Sequence, residues 1–148
     1  AIANTILDAY LGVEGRDWSV PMLDGWRGAR ERFEDRQERF LEAMAPESYP
    51  ALPLEAYAGT FGGPMYGDAA ISVEDGGLVL RLLPNPDLVA DLSHLHHDTF
   101  LIEWRETFAW FGRGAATFLL DPYGQVSEVV LDVPNDDLWF YELELKKR

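Results

Sequence analysis

Hydrophobic and polar residues alternate with two different periods along the chain, a helical one up to about residue 50 and a strand-like one afterwards. In the segment IANTILDAYLG, apolar residues recur at helical spacing from Ile2 onward, and Gly12 is a natural end for that helix. A second, longer amphipathic helix is predicted from Asp24 to Ala45, with a start as early as Pro21. The proline-rich stretch APESYPALP then ends the helical half.

One apolar stripe runs along the second predicted helix, and its large members are Trp26, Phe33 and Phe40. Glu and Arg residues fill the opposite face, where pairs three and four positions apart support a helix by about 0.3 kcal/mol each. Two interpretations of the stripe are open. We favour internal packing against the β half, and the alternative is an interface with a domain outside this sequence.

The second half of the chain has the period of β-strands. Two alternating runs flank Asp75-Gly76-Gly77, which indicates a hairpin, and Pro122-Tyr123-Gly124 marks another turn. YAGTF is read as an early strand, and LWFYELELKK as a final strand that alternates from Leu138 to Lys147. About eight short strands are expected, a number typical of a closed barrel or a small sandwich.

Composition and charge exclude several classes of function. Hydrophobic residues make up 47% of the 148 positions, which predicts a globular protein, and the absence of cysteine excludes thiolate metal sites and cysteine catalysis. The net charge is −14, of which −10 falls on residues 51–148, so binding to the phosphates of nucleic acid is not expected. No apolar run approaches the roughly 20 residues that a membrane span needs.

The β half resembles a domain of unknown function that follows the catalytic domain in beta-lactamase-related serine hydrolases, the class C or CubicO-type enzymes. The resemblance covers Leu52 to Lys147 and lies in the stretches LPLEAYAGTFGG, HLHHDTFLIEW, TFLLDPYGQVSEVVLD and FYELELKK. Two motifs carry its most specific positions. The aromatic–glycine motif comprises Tyr57, Gly59 and Phe61, and the histidine motif comprises His94, His96, Asp98, Thr99 and Phe100.

This resemblance implies a mainly β, α+β fold, in which an antiparallel up-and-down, lipocalin-like barrel of about eight strands follows a long linker helix. Residues 1–20 would be the tail of a hydrolase domain, residues 21–50 the linker helix and residues 51–148 the barrel. The implied partner is a catalytic domain of the same polypeptide, with a second copy of the chain as another candidate partner. The family resemblance favours a periplasmic or extracytoplasmic location.

The catalytic residues of the parent enzymes are not carried over. Those enzymes use Ser-x-x-Lys and Tyr-x-Asn motifs, in which a lysine and a tyrosine help to remove the proton of the nucleophilic serine. None of the five serines here precedes a lysine by three positions, Tyr-x-Asn does not occur, and the only lysines are Lys146 and Lys147. We therefore predict a chain without catalytic residues and without a cofactor.

The three histidines fall in the single stretch SHLHHD. On an ideal strand His94, His96 and Asp98 would share one face, because side chains alternate. They could hold a metal, line a small polar pocket in a barrel lumen, or simply hydrogen-bond to neighbouring strands. We favour the last interpretation and predict no metal, but keep these residues and Trp104 as candidate ligand-binding residues.

The aromatic stretch FAWFGRG lies between two predicted strands. Phe108, Trp110 and Phe111 could dock on the parent enzyme or a second subunit, or could fold over the barrel mouth. Three hypotheses for the function therefore remain. The chain is an accessory domain that shapes the parent active site or its oligomeric state, a module that binds a small molecule or peptide in the barrel, or an independent metal protein or enzyme. The first is preferred.

Overall fold

The two periods of the sequence correspond to two units of the structure, a computed structural model that describes residues 1–45, 47–106, 111–135 and 137–148. The helical unit comprises Ala1–Arg36, and the barrel unit comprises Gln37–Arg148. The long helix is continuous across residue 36, so the division falls within a helix and not within a loop. The prediction of a separate linker helix over residues 21–50 stays a prediction.

Helix α1 spans Ile2–Leu11, and α2 spans Ser19–Glu42. The predicted end of α1 is confirmed, since Gly12 adopts a left-handed φ of 68° and its N–H caps carbonyl groups of the last turn. Helix α2 begins earlier than Asp24 because the carboxylate of Asp17 accepts hydrogen bonds from the N–H and the hydroxyl of Ser19, at 2.8 and 2.6 Å. Neither of these helices contains a buried residue.

The barrel unit contains a closed antiparallel barrel in which each strand pairs with its neighbours in sequence and the last strand also pairs with the first. A short helix, α3, spans Leu54–Tyr57 and leads into the first strand. The predicted mainly β, α+β fold with an eight-stranded up-and-down barrel is confirmed. The strands are β1 Gly59–Gly63, β2 Gly67–Glu74, β3 Gly77–Leu82, β4 Val89–His96, β5 Thr99–Trp104, β6 Gly114–Leu120, β7 Val126–Asp132 and β8 Leu145–Lys147.

The two turns predicted from glycine occur where the sequence places them. Between β2 and β3, Asp75 and Gly76 have φ values of 49° and 81°, the left-handed pair that matches the twist of a two-residue hairpin. Between β6 and β7, Gly124 has a φ of 78° and donates its N–H to the carbonyl of Asp121. In both turns, local sequence was sufficient to predict the connection.

The prediction of a long final strand was wrong. Phe140–Glu142 form a turn of 3-10 helix, and only Leu145–Lys147 extend as β8. The ring of Phe140 is buried and lies 6.0 Å from that of Trp104 and 5.0 Å from that of Phe111, centroid to centroid. Alternation in the sequence could not reveal this, because the tertiary packing of Phe140 decides the local conformation.

Large apolar side chains fill the barrel interior. Phe61, Phe100 and Phe118 point inward, each almost without solvent exposure, and meet edge to face at centroid distances of 5.5 and 6.2 Å. Tyr57 of α3 reaches the same cluster, 4.9 Å from the ring of Phe118. We call this end, with α3 and the turns at residues 75–76, 97–98 and 121–125, the linker end. The opposite end, with the connections around residues 64–66, 83–88 and 133–144, is the cavity end.

Candidate functional site

The histidine stretch does not form the one-faced cluster that an ideal strand predicts. The pairing of β4 with β5 shifts by one residue between His94 and His96, β4 ends at His96, and His97 turns with a φ of 45°. Asp98 therefore lies in the turn before β5 and not on the strand. The prediction that His94, His96 and Asp98 share a face was wrong, because a bulge breaks the alternation.

His94 finds its partners locally. Its Nε2 lies 3.0 Å from the carbonyl oxygen of His97, so this nitrogen carries the proton and donates. Its ring also lies 5.6 Å, centroid to centroid, from the ring of Phe100. The ring of His96 lies beside that of His97, with 5.7 Å between centroids. His94 thus has a hydrogen-bond partner in the adjacent turn, and the structural and ligand-binding interpretations of His94 and His96 both stay predictions.

Asp98 joins three segments at the linker end. Its carboxylate accepts a short hydrogen bond from the hydroxyl of Tyr57 and a second bond, 2.9 Å long, from the N–H of Ala51. The N–H of Leu52 donates in turn to the hydroxyl oxygen of Tyr57 at 3.1 Å. The β4–β5 turn, α3 and the residues that lead into α3 are thus held by one carboxylate and one phenol. We call these two residues the Tyr57–Asp98 pair.

The environment of Tyr57 favours the neutral phenol. Burial of the ring and hydroxyl, followed by the hydrogen bond to Asp98, raises the pKa of Tyr57 from its ordinary value of 10 to about 12. The phenol consequently remains a hydrogen-bond donor over the whole neutral range. Chemically, the pair is suited to hold the chain in place, since Tyr57 has no solvent exposure through which a substrate could reach it.

The chain that enters the barrel is fixed at further points along β4 and β6. Gln37 exchanges two hydrogen bonds with the backbone of Arg113, of 3.0 and 2.6 Å. The N–H of Ala45 donates to the carbonyl of Leu95 at 2.9 Å, and the N–H of His97 donates to the hydroxyl of Ser48 at 3.3 Å. The barrel unit thus holds the last turns of α2 and the following segment against its outer surface.

Trp104 and Phe111, both half-buried, form part of the packing of the barrel. The indole Nε1 of Trp104 donates to the carbonyl of Gly112 at 3.2 Å, and its ring lies 5.4 Å from the ring of Phe111. Both rings flank the hydrophobic core. Phe108 and Trp110, predicted with Phe111 as docking residues, lie outside the described residues. The interface role of the three aromatics and the ligand role of Trp104 stay predictions.

The apolar stripe of α2 is exposed in the helical unit. Trp26 is 58% exposed and Phe33 is 38% exposed, whereas Phe40, which belongs to the barrel unit, is half-buried. The guanidinium of Arg30 lies 5.6 Å from the centroid of the Trp26 ring, a distance typical of a cation–π contact. The assignment of these three residues to an interface is not tested and stays a prediction.

Neither a metal site nor a membrane-spanning helix is present in the described part of the chain. No group of three or more histidine, aspartate or glutamate side chains in residues 1–45, 47–106, 111–135 and 137–148 is placed to hold a metal ion. Among the same residues, no helix is both long enough and apolar enough to cross a lipid bilayer.

Sequence reasoning missed the role of the Tyr57 hydroxyl. Tyr57 opens the motif that carries the family resemblance, but its partner Asp98 is 41 residues away and is not apparent from the sequence around Tyr57. The available signal was the pairing of two motifs: each contributes one member of the Tyr57–Asp98 pair. Tyr57 and Asp98 are polar residues in the two most specific motifs of the family resemblance, and this coincidence could have suggested that they are in contact.

Comparison with solved structures gives a match of similar architecture. The C-terminal domain of penicillin binding protein Rv0907 superimposes with a TM-score of 0.50 at 26% sequence identity, over 71% of this chain and 97% of that chain. No curated protein matches the sequence.

The sequence also fits the pattern of a known domain family. The match extends over residues 43–147, more than half of the chain, and includes α3 and all eight strands. It contains both members of the Tyr57–Asp98 pair. The chain belongs to the family described as domain of unknown function DUF3471.

Proposed function

We propose that this chain is a non-catalytic accessory domain of a beta-lactamase-related serine hydrolase, in which it shapes the active site or sets the oligomeric state. The observation that carries the proposal is the likeness to the C-terminal domain of a penicillin binding protein, of which the match covers 97%. A domain that aligns over nearly its whole length with such a part is expected to occupy the same place in its own polypeptide.

The chemistry of the barrel unit supports a role without catalysis. The Ser-x-x-Lys and Tyr-x-Asn motifs of the parent enzymes are missing from the sequence. The phenol of Tyr57 is fully buried, and its proton is already donated to Asp98 in a hydrogen bond. It therefore has no free proton with which to act on a substrate. The barrel interior is occupied by core side chains such as Phe61 and Phe118, which weakens the alternative that a ligand binds inside the barrel.

The helical unit supports a partner in the same polypeptide. Five apolar residues of α1 are between 52% and 84% exposed: Ile2, Ile6, Leu7, Tyr10 and Leu11. An isolated helix of ten residues is marginal in water, and most of its stability normally comes from packing of its apolar face. A catalytic domain that covers α1 would provide this packing. The accessory role thus accounts for an apolar helix that has no core of its own.

The proposal is tested by isolating the native polypeptide with an antibody against this chain and treating it with a fluorescent penicillin. We expect a polypeptide larger than 16.7 kDa that becomes covalently labelled through a serine. The recombinant 148-residue chain is the matched control and should remain unlabelled. A native polypeptide of the same size as the chain, or labelling of the control, would contradict the accessory role.

A further inference from the structure

The cavity end of the barrel contains a hollow that the core does not fill. Its volume is about 140 Å³, and most of its wall is aliphatic: Leu82, Pro84, Leu88, Leu138, Leu143 and Leu145. Tyr66, Gly67 and Pro84 contribute to the same wall and are exposed, so the hollow opens to solvent. An apolar cavity of roughly 150 Å³ in another protein stays dry and accepts benzene, so this one is large enough for a six-carbon group.

The segment from residue 138 to residue 143 builds one side of the cavity and leaves two aromatic rings outside it. Leu138 and Leu143 line the cavity, whereas the 3-10 turn between them buries Phe140 in the core. The same turn exposes Trp139 by 55% and Tyr141 by 67%, and their rings stack with planes 9° apart and centroids at 6.3 Å. Exposed, parallel aromatic faces beside an apolar cavity are suited to contact a ligand that projects from it.

Negative charge surrounds this opening. Asp68 lines the cavity, and the carboxylate of Glu142 accepts a hydrogen bond of 3.3 Å from the hydroxyl of Tyr66 on the cavity wall. Arg148 pairs with Asp68 at 2.8 Å and balances that charge. Glu142 is therefore the carboxylate at this opening whose charge is not balanced by Arg148, and the net charge of −10 on residues 51–148 favours the approach of cations over anions.

We propose that the cavity binds a small organic cation, an aliphatic or aromatic group of about six carbon atoms joined to an ammonium. The apolar group occupies the leucine-lined cavity, and the ammonium lies near Glu142 and the faces of Trp139 and Tyr141. This site is at the opposite end of the barrel from His94 and His96. It does not depend on the accessory role proposed above.

The experiment is a titration of the ¹⁵N-labelled 148-residue chain, followed by two-dimensional NMR, with three probes that share a phenethyl group and carry a cationic, a neutral or an anionic head group. Phenethylammonium should shift the amide signals of residues 82–88 and 138–145 and leave those of α3 unchanged. The neutral 2-phenylethanol should bind at the same amides about three- to tenfold more weakly, and 3-phenylpropionate more weakly still. Shifts confined to other residues, or equal binding of the anion, would overturn the proposal.

Two variants separate the apolar and the charged contributions. Leu138→Trp should fill the cavity and abolish binding, whereas Leu119→Trp, the same change at an exposed position of β6, should leave it intact. Glu142→Gln should weaken phenethylammonium about three- to tenfold and leave 2-phenylethanol unchanged. Glu55→Gln, at the linker end, is its control. Unaltered binding in Leu138→Trp, or equal losses for cation and alcohol in Glu142→Gln, would contradict the site.

Discussion

The helical unit and the barrel unit differ in how much of their apolar surface they bury. Twenty-five hydrophobic residues are buried in the described part of the chain, and all of them belong to the barrel unit. Helices α1 and α2 have none, although their sequences carry Ile2, Tyr10, Trp26 and Phe33. The barrel unit therefore has a hydrophobic core of its own, whereas the helical unit leaves its apolar side chains exposed.

The polar contacts follow the same division. In the barrel unit, the Tyr57–Asp98 pair and the bonds of Gln37 to Arg113 connect residues that are 41 and 76 positions apart. In the helical unit, the contacts of Arg30 with Glu34 and of Arg27 with Asp24 lie within one helix. Pairs as exposed as these contribute little to stability, because water screens the charges and both side chains lose conformational freedom. The indole of Trp18 also donates to the carboxylate of Asp8 in α1 at 2.7 Å, but these residues are only ten positions apart. The polar contacts of the helical unit therefore span fewer positions than those of the barrel unit.

The largest effect is expected for a large-to-small substitution inside the barrel. Phe118→Ala should lower the free energy of unfolding by about 3–5 kcal/mol, because it leaves a cavity beside Tyr57, Phe61 and Phe100. Phe33→Ala, the same change in the helical unit, should cost less than about 0.5 kcal/mol. Urea unfolding followed by circular dichroism measures both. Similar losses in the two variants would remove the contrast between the units.

The Tyr57–Asp98 pair gives the next largest effect. Asp98→Ala should cost about 1–3 kcal/mol, since it leaves the buried phenol and the N–H of Ala51 without their acceptor. Combining it with Tyr57→Phe in a double-mutant cycle should show that the two losses are not additive. Asp68→Ala, which breaks only a surface pair with Arg148, should cost at most about 1 kcal/mol. Additive losses would show that the pair does not act as a unit.

The pH dependence of the free energy of unfolding measures the contribution of the Tyr57 phenol to stability. The pKa of Tyr57 is raised from 10 to about 12 in the folded chain, so its contribution is complete below about pH 10 and is lost as the pH rises towards 12. The stability difference between the wild type and Tyr57→Phe should therefore shrink between pH 9.5 and pH 11.5 (roughly the window set by these two pKa values). Urea unfolding at both pH values measures it. A constant difference would mean that Tyr57 titrates normally.

The smallest effect is expected in α1. Ile6→Ser should change the stability of the barrel by less than about 0.5 kcal/mol, because Ile6 is 52% exposed and belongs to the helical unit. Ile71→Ser on β2, where the side chain is 3% exposed, is the matched substitution in the barrel and should be strongly destabilising. Thermal unfolding of the two variants compares them. A large loss for Ile6→Ser would show that α1 supports the barrel.

Much of this fold was predictable from local sequence, and the exceptions have a common cause. The turns at Gly76 and Gly124 and the end of α1 at Gly12 depend on backbone conformations that glycine favours, so the sequence predicted them. The 3-10 turn that buries Phe140 depends on its contacts with the distant residues Trp104 and Phe111, and the bulge after His94 is a shift in the pairing of β4 with β5. Hydrophobic alternation looks the same with or without them, and a shift of one residue exchanges the two faces.

The candidate sites were predicted less well than the fold. The polar residue of the histidine motif with the clearest tertiary contacts is Asp98, and its role is to hold Tyr57 and Ala51 in place. The cavity at the other end was not predicted at all. Its wall comes from three separate connections, and leucines such as Leu88 and Leu138 are indistinguishable in the sequence from ordinary core residues.

We propose that a catalytic domain of the same polypeptide covers the helical unit, and amide hydrogen exchange of α1 distinguishes a covered helix from an exposed one. The measurement compares the native polypeptide with the isolated 148-residue chain, with the strands of the barrel as an internal reference. We expect the amides of residues 2–11 to exchange fast in the isolated chain. In the native polypeptide the same amides should exchange roughly a hundredfold more slowly, or more slowly still. The amides of the barrel should be equally protected in both proteins. Equally fast exchange of α1 in both proteins would contradict it.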